Sequence, residues 1–316
     1  MSDSNLFSAL RAAFPQDLDT AAVETDADMV YSWRDLDRAT AMLANLLRAL
    51  NLPEGSRIAV QVEKSVEAMM LYLATLRAGY VFLPLNTAYQ SVEIEYFIGN
   101  AEPAVVVCTG KNFGWVSKIA FKAGTRHVFT LDDDRTGSLL ERASHHSDRH
   151  EVAVKAADDL AAIVYTSGTT GRSKGAMLTH GNLLSNAQVL KDYWGWVSGD
   201  VLIHALPIFH VHGLFVAIHG ALLNGSKDDL VREIRPEGGD PQNAGSDGLH
   251  GGADPLRPDA GRAGPDPRCR APHAAVHFRL RALADRNLQR VADAHRPHHP
   301  RALRNERNHH AHFQSL

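Results

Sequence analysis

Up to about residue 227 the chain switches repeatedly between two hydrophobic periods. Leu36, Ala39, Leu43, Leu46 and Leu50 recur at three- and four-residue spacing, which predicts one buried helical face. Ser32 with Asp35 just ahead of that run resembles a capping box, in which each side chain satisfies a backbone N–H of the first turn. Short apolar runs at Ile58 to Val62, Val81 to Leu83, Ala104 to Val107, His127 to Leu131, Ala161 to Tyr165 and Val201 to Leu206 predict strands. Ser65 to Ala78 predicts a helix stopped by Gly79. Thr179 can cap another that runs through Leu190, and Val211 to Leu223 predicts a further one. Strands alternating with helices predict an α/β fold on a doubly wound, largely parallel sheet.

Near residue 227 the pattern stops. Residues 1–227 hold every Lys, Trp, Tyr and Met of the protein, whereas residues 228–316 hold 14 Arg, half of the 18 His and a single Ile, Ile234. Such a composition buries too little apolar surface to offset its ordering entropy, so 228–316 is expected to be a disordered tail.

Composition narrows the function classes further. Cys108 and Cys269 are too few for a disulfide framework, which predicts a reducing, cytoplasmic setting. No apolar run reaches membrane-spanning length. A net charge of −3 gives no electrostatic footprint for nucleic acid. A nucleic-acid arm in the tail is disfavoured too, because its 14 Arg face 12 Asp and Glu.

The chemistry concentrates in Tyr165-Thr166-Ser167-Gly168-Thr169-Thr170-Gly171-Arg172-Ser173-Lys174-Gly175. Glycines let a backbone turn tightly around an anion, hydroxyls add donors and Lys174 adds a mobile positive charge. After a buried strand, that combination describes a cradle for nucleotide phosphates. The lysine follows Gly171 by three residues and a glycine comes after it, so the spacing is not that of the G-x-x-x-x-G-K-[ST] loop.

This string and its continuation Ala176 to Leu183 resemble the signature loop of the adenylate-forming enzymes, which include acyl-CoA synthetases, luciferases and peptide-synthetase adenylation domains. The segments Glu63 to Ala68, Leu73 to Gly79, Leu83 to Thr87 and Asp200 to Leu214 are similar to the same family, and their wording is closest to malonyl-CoA synthetases. The resemblance implies the N-terminal part of an AMP-binding adenylation domain over 1–227. It implies ATP, Mg²⁺ and coenzyme A as reaction partners and a small carboxylate as substrate. Thr166, Ser167, Thr169, Thr170 and Lys174 would hold the outer phosphates, with Gly168, Gly171 and Gly175 shaping the loop. His210, after Phe209, would lie beside the acyl carboxylate. For Gly175 a plain helix-start role stays open, and for His204, His212 and His219 a core role is expected. Glu63, Lys64 and Asn86 acquire no role.

The tail has a second reading. Shifted by one base, synonymous codons for Asp228 to Arg235 can be read as MIWFARFD, those for Phe278 to Val291 as SGSAPLLIETFSEW, and those for His299 to His312 as ILERYGMSETIML. These strings resemble the family's next motifs, in order, so 228–316 is expected to be out of frame. The family's Mg²⁺-holding glutamate lies in YGMSET, where this chain has Leu303 to Asn308. The chain is therefore expected to be inactive. A nucleotide-binding module without catalysis and a ligase for another short or medium acid stay open as alternatives.

Overall fold

The computed structural model describes residues 3–166, 173–197 and 199–231, so the expectation of disorder falls almost wholly outside the described residues. Helix α1 (Leu6–Ala12) precedes an antiparallel pair, β1 (Ala21–Thr25) and β2 (Val30–Ser32), and then α2 (Trp33–Ala49). Next come β3 (Arg57–Gln61), α3 (Val66–Arg77), β4 (Val81–Pro84), α4 (Ser91–Ala101), β5 (Val105–Cys108), α5 (Phe113–Lys122), β6 (His127–Thr130) and α6 (Ser138–Ala143). They are followed by β7 (Leu160–Thr166), β8 (Lys174–Thr179), α7 (His180–Trp194), β9 (Val201–His204), a π-helical turn (His212–Ala217), α8 (Ile218–Leu223) and β10 (Lys227–Leu230).

The strands form two sheets where one was expected. One has the order β6-β5-β3-β4-β7-β8 and the other β2-β1-β10-β9. Both are parallel except for β8 and β2, which run antiparallel to their neighbours. Strand β10 crosses the composition change at residue 228.

Alternation along the strands explains the layering. Ile58 and Val60 of β3, Val105 and Val107 of β5, and Ala162 and Val164 of β7 enter a core shared with α1, α2 and α3 and with Ala22, Val23 and Leu230 of the four-stranded sheet. The intervening Ala59, Val106, Cys108 and Ile163 meet Ile94, Phe97, Ile98, Val116 and Ala120 of α4 and α5. Both faces of its parallel strands are thus buried, whereas the antiparallel edge strand β8 stays exposed. Helix α3 lies between the sheets and is buried at every residue from Val66 to Arg77, which suits an apolar helix with no solvent face.

At its end the buried Arg77 donates to Asp37 Oδ1 (2.9 Å), the Asp37 carbonyl (2.8 Å), Thr40 Oγ1 (3.0 Å) and the His150 carbonyl (2.6 Å). That set leaves little of its planar donor fork unpaired. The Ser32–Asp35 capping box forms as expected, and Gly79 takes φ +78° behind α3.

Two buried histidines should weaken this fold in acid. His219 Nε2 lies 2.7 Å from Tyr72 Oη, and burial pushes its pKa down to about 3. His180 Nδ1 accepts the Leu6 N–H at 3.1 Å; burial, helped by Lys155, pushes its pKa down to about 4. Between those values and the ordinary ~6.5 the unfolded chain binds more protons than the fold. Their stabilising effect is therefore complete above about pH 6.5 and is lost as the pH falls. At pH 5 the loss should approach roughly 2 kcal/mol per histidine. Urea midpoints at pH 7.5 and 5 should show that drop, and His219→Leu should narrow it. Equal midpoints at the two pH values would exclude this account.

Candidate functional site

Strand β7 ends at Thr166 and β8 starts at Lys174, and the two residues face each other across an antiparallel rung. The hydroxyl-rich string therefore joins two strands whose ends, Thr166 and Lys174, are paired to each other through the backbone. The sequence pattern leads from strand to loop to helix and misses β8. Its residues carry no clean alternation, because this edge strand is exposed from Lys174 to Met177. Helix α7 then begins where expected, with Thr179 Oγ1 accepting the Asn182 N–H at 3.1 Å and Asn182 Oδ1 accepting the Thr179 N–H at 3.2 Å.

Thr166 and Lys174 are both exposed at the mouth of the hairpin. Gly175 sits inside β8 opposite Tyr165, five residues before the helix, so the helix-start reading of this glycine is incorrect. A Cβ there would lie 3.0 Å from Ile163 Cγ2 and 3.5 Å from Tyr165 Cε1. Ser167, Gly168, Thr169, Thr170 and Gly171 lie outside the described residues.

An aromatic cluster that sequence reading missed supports the hairpin. The Tyr165 ring lies 4.5 Å from Phe97, which in turn contacts Tyr96 (5.4 Å) and Tyr89 (5.0 Å) between centroids. Tyr96 Oη donates to the Ser173 carbonyl at 2.8 Å, pinning the chain one residue before Lys174. The adjacent pair Tyr96-Phe97 was the available signal: one ring is buried and its neighbour is directed at the loop base.

His210 is exposed on a turn whose own N–H donates to the Pro207 carbonyl at 3.2 Å. Its carbonyl accepts the Leu214 N–H at 2.8 Å, within the start of the π-helical turn. Such turns occur disproportionately at functional positions. Ile208, Phe209 and Leu214 line a narrow cleft with Val60, Val62, Pro84 and Leu85. These last residues stand at the carboxyl ends of β3 and β4, and β4 neighbours β7. The paired strand ends Thr166 and Lys174 and the His210 turn therefore occupy the same carboxyl edge of the six-stranded sheet, where open α/β sheets bind ligands.

The other histidines separate. His204 is buried with Nδ1 3.1 Å from Asp228 Oδ2, and His219 is buried against Tyr72, as expected of core residues. His212 is exposed at the start of the π-helical turn, on its solvent side, so the core expectation fails there. Lys64 proves to be engaged: its Nζ donates to the His204 carbonyl (2.5 Å) and the Val231 carbonyl (2.9 Å). Burial pushes its pKa down to about 8, against the attraction of Asp228 and Asp26.

A cavity of about 690 Å³ between α2, α3 and α6 includes Met29, Met42, Met70 and Leu140 and holds none of the site residues named above. Among the described residues no three His, Cys, Asp or Glu side chains converge to hold a metal ion. A ligand set for Mg²⁺ is thus not formed among the described residues. No helix of the described residues is long and apolar enough to cross a membrane.

The model of the AMP-binding enzyme family matches residues 10–236. Malonate–CoA ligase of Arabidopsis thaliana is 33% identical over 186 residues, which is 58% of this chain and 31% of the relative. Oxalate–CoA ligase of the same plant is 30% identical over 186 residues, 58% of this chain and 36% of the relative. Apo MatB from Rhodopseudomonas palustris superposes with a TM-score of 0.71 at 47% identity, and its ATP-bound form with 0.71 at 48%. Each alignment covers 74% of this chain and 46% of MatB. The chain thus spans less than half the length of each of these relatives.

Gly213 gives a direct test of how tightly the His210 turn is built. A Cβ there would lie 2.1 Å from the Pro207 carbonyl oxygen, the atom that accepts the His210 N–H. Gly213→Ala should force the turn open and lower stability by about 1–3 kcal/mol in urea denaturation. An unchanged midpoint would show that the turn yields freely.

Proposed function

The chain belongs to the family of AMP-binding enzymes, and from that premise we propose that it carries the phosphate-gripping and acid-facing parts of an acid–CoA ligase whose substrate is malonate. One observation carries this reading: Thr166 and Lys174, which flank the hydroxyl-rich string, share one carboxyl edge with the exposed His210. The similarity to a malonate–CoA ligase and to MatB supports the choice of acid, and the oxalate–CoA ligase relative points to the same short dicarboxylate class.

The reaction has two balanced steps. A carboxylate oxygen attacks the α-phosphorus of ATP, and pyrophosphate leaves with the bridging oxygen. The thiol of coenzyme A then adds to the acyl carbonyl, loses its proton and expels AMP. In the first step the protein supplies position and charge more than covalent chemistry. Lys174 would neutralise charge on the outer phosphates and Thr166 would donate a hydrogen bond to them, with Ser167, Thr169 and Thr170 as further donors by sequence. His210 would orient the carboxylate toward the α-phosphorus by donation from its ring.

The same proposal treats residues 228–316 as read out of frame. Strand β10 supports it, because it lies between β1 and β9 with Asp228 only 2% exposed and one of its carboxylate oxygens unpartnered. A central parallel strand normally reads as a run of apolar residues. The shifted reading places Met, Ile, Trp and Phe from position 228 onward.

ATP–pyrophosphate exchange tests both parts. The chain as given should show none with malonate, whereas the gene with its frame restored should exchange with malonate in preference to acetate. In the restored protein Lys174→Ala should slow exchange by about 10²-fold. Exchange by the present chain would overturn the frame reading, and malonate-independent behaviour of the restored protein would overturn the substrate.

A further inference from the structure

We propose that Lys64 is a positioning residue: its ammonium ties the carboxyl edges of the two sheets together and so fixes the segment that presents His210. Lys64 follows β3 of the six-stranded sheet by three residues, next to Ser65, the N-cap of α3. Its two acceptors belong to the other sheet, since His204 is the last residue of β9 and Val231 follows the last residue of β10. The His204 carbonyl also accepts the Val231 N–H at 3.1 Å, so Lys64, β9 and β10 close into one hydrogen-bonded ring. His210 lies six residues beyond His204, on a chain that next packs Ile208 and Phe209 against the ends of β3 and β4. The segment from 205 to 211 thus runs from one sheet to the other, and Lys64 holds its starting point.

This placement carries physical costs that the tie must offset. A cation at the start of a helix opposes the helix dipole. Half-burial also disfavours the charged form, in line with the lowered pKa given above. An exposed lysine would avoid both penalties. Two strand-end carbonyls compensate for them and fix the ammonium at one point, and as backbone acceptors they do not depend on which side chains follow residue 227. The role assigned to His210 rests on the function proposed above, whereas the tie itself does not.

Hydrogen exchange on the full chain separates local positioning from general stability. In Lys64→Met the amides of His210, Leu214 and Val231 should exchange at least tenfold faster, while those of β5 (Val105–Cys108) keep their rates. Lys64→Arg, which retains charge and donors, should bring the three amides back to within about threefold of the parent. Equal acceleration of all amides, or none at the three, would overturn the proposal. If Lys64→Met does not fold, scalar couplings across the hydrogen bonds from ¹⁵Nζ of Lys64 to the carbonyl carbons of His204 and Val231 decide the matter in the parent chain. Their absence would overturn the tie. Failure of the frame-restored protein to exchange pyrophosphate would remove the function yet leave these readouts intact.

Discussion

Burial of the six-stranded sheet on both faces is the constraint from which the rest of this structure follows. Its parallel strands leave no face open to water, so side chains that must meet a ligand are confined to the strand ends and the loops beyond them. The helices between the sheets inherit the same demand, which is why α3 carries no exposed residue and why Arg77 needs four acceptor atoms around its guanidinium. Thr166, Lys174 and His210 accordingly gather at one edge, supported by aromatic packing against Tyr165 and by an ammonium between the sheets.

Much of this was legible in the sequence, and what was not has identifiable causes. Strands β3, β5 and β7 announced themselves because doubly buried strands are continuous apolar runs. Helices α2 and α3 did so through Ser32, Asp35, Ser65 and Gly79. Strands β1 and β10 were hidden, because Ala21–Thr25 and Lys227–Leu230 carry acidic residues that only pairing in the second sheet accommodates. The division into two sheets was invisible for the same reason: strand pairing is a long-range property, and Val23 opposite Asp228 leaves no local trace.

The site itself divides along similar lines. The phosphate loop could be read from composition and order alone, since glycines, hydroxyls and a lysine need only be neighbours in the chain. Its hairpin form could not, because β8 is an exposed edge without a hydrophobic period. Lys64 acquired no role from the sequence, where surface or inter-strand contacts sufficed, since its acceptors are backbone carbonyls 140 and 167 residues away. Backbone acceptors have no sequence signature. His204 and His212 look alike on paper; one is sealed against Asp228 and the other faces water.

The rung between Thr166 and Lys174 has a broader consequence. A turn held at its two feet by main-chain pairing, and braced by the Tyr96 hydroxyl at Ser173, behaves as a cassette whose contents are separable from its mounting. Residues between the two feet can be exchanged while the scaffold beneath keeps its register. Over evolutionary time such an arrangement lets ligand preference drift without endangering the fold.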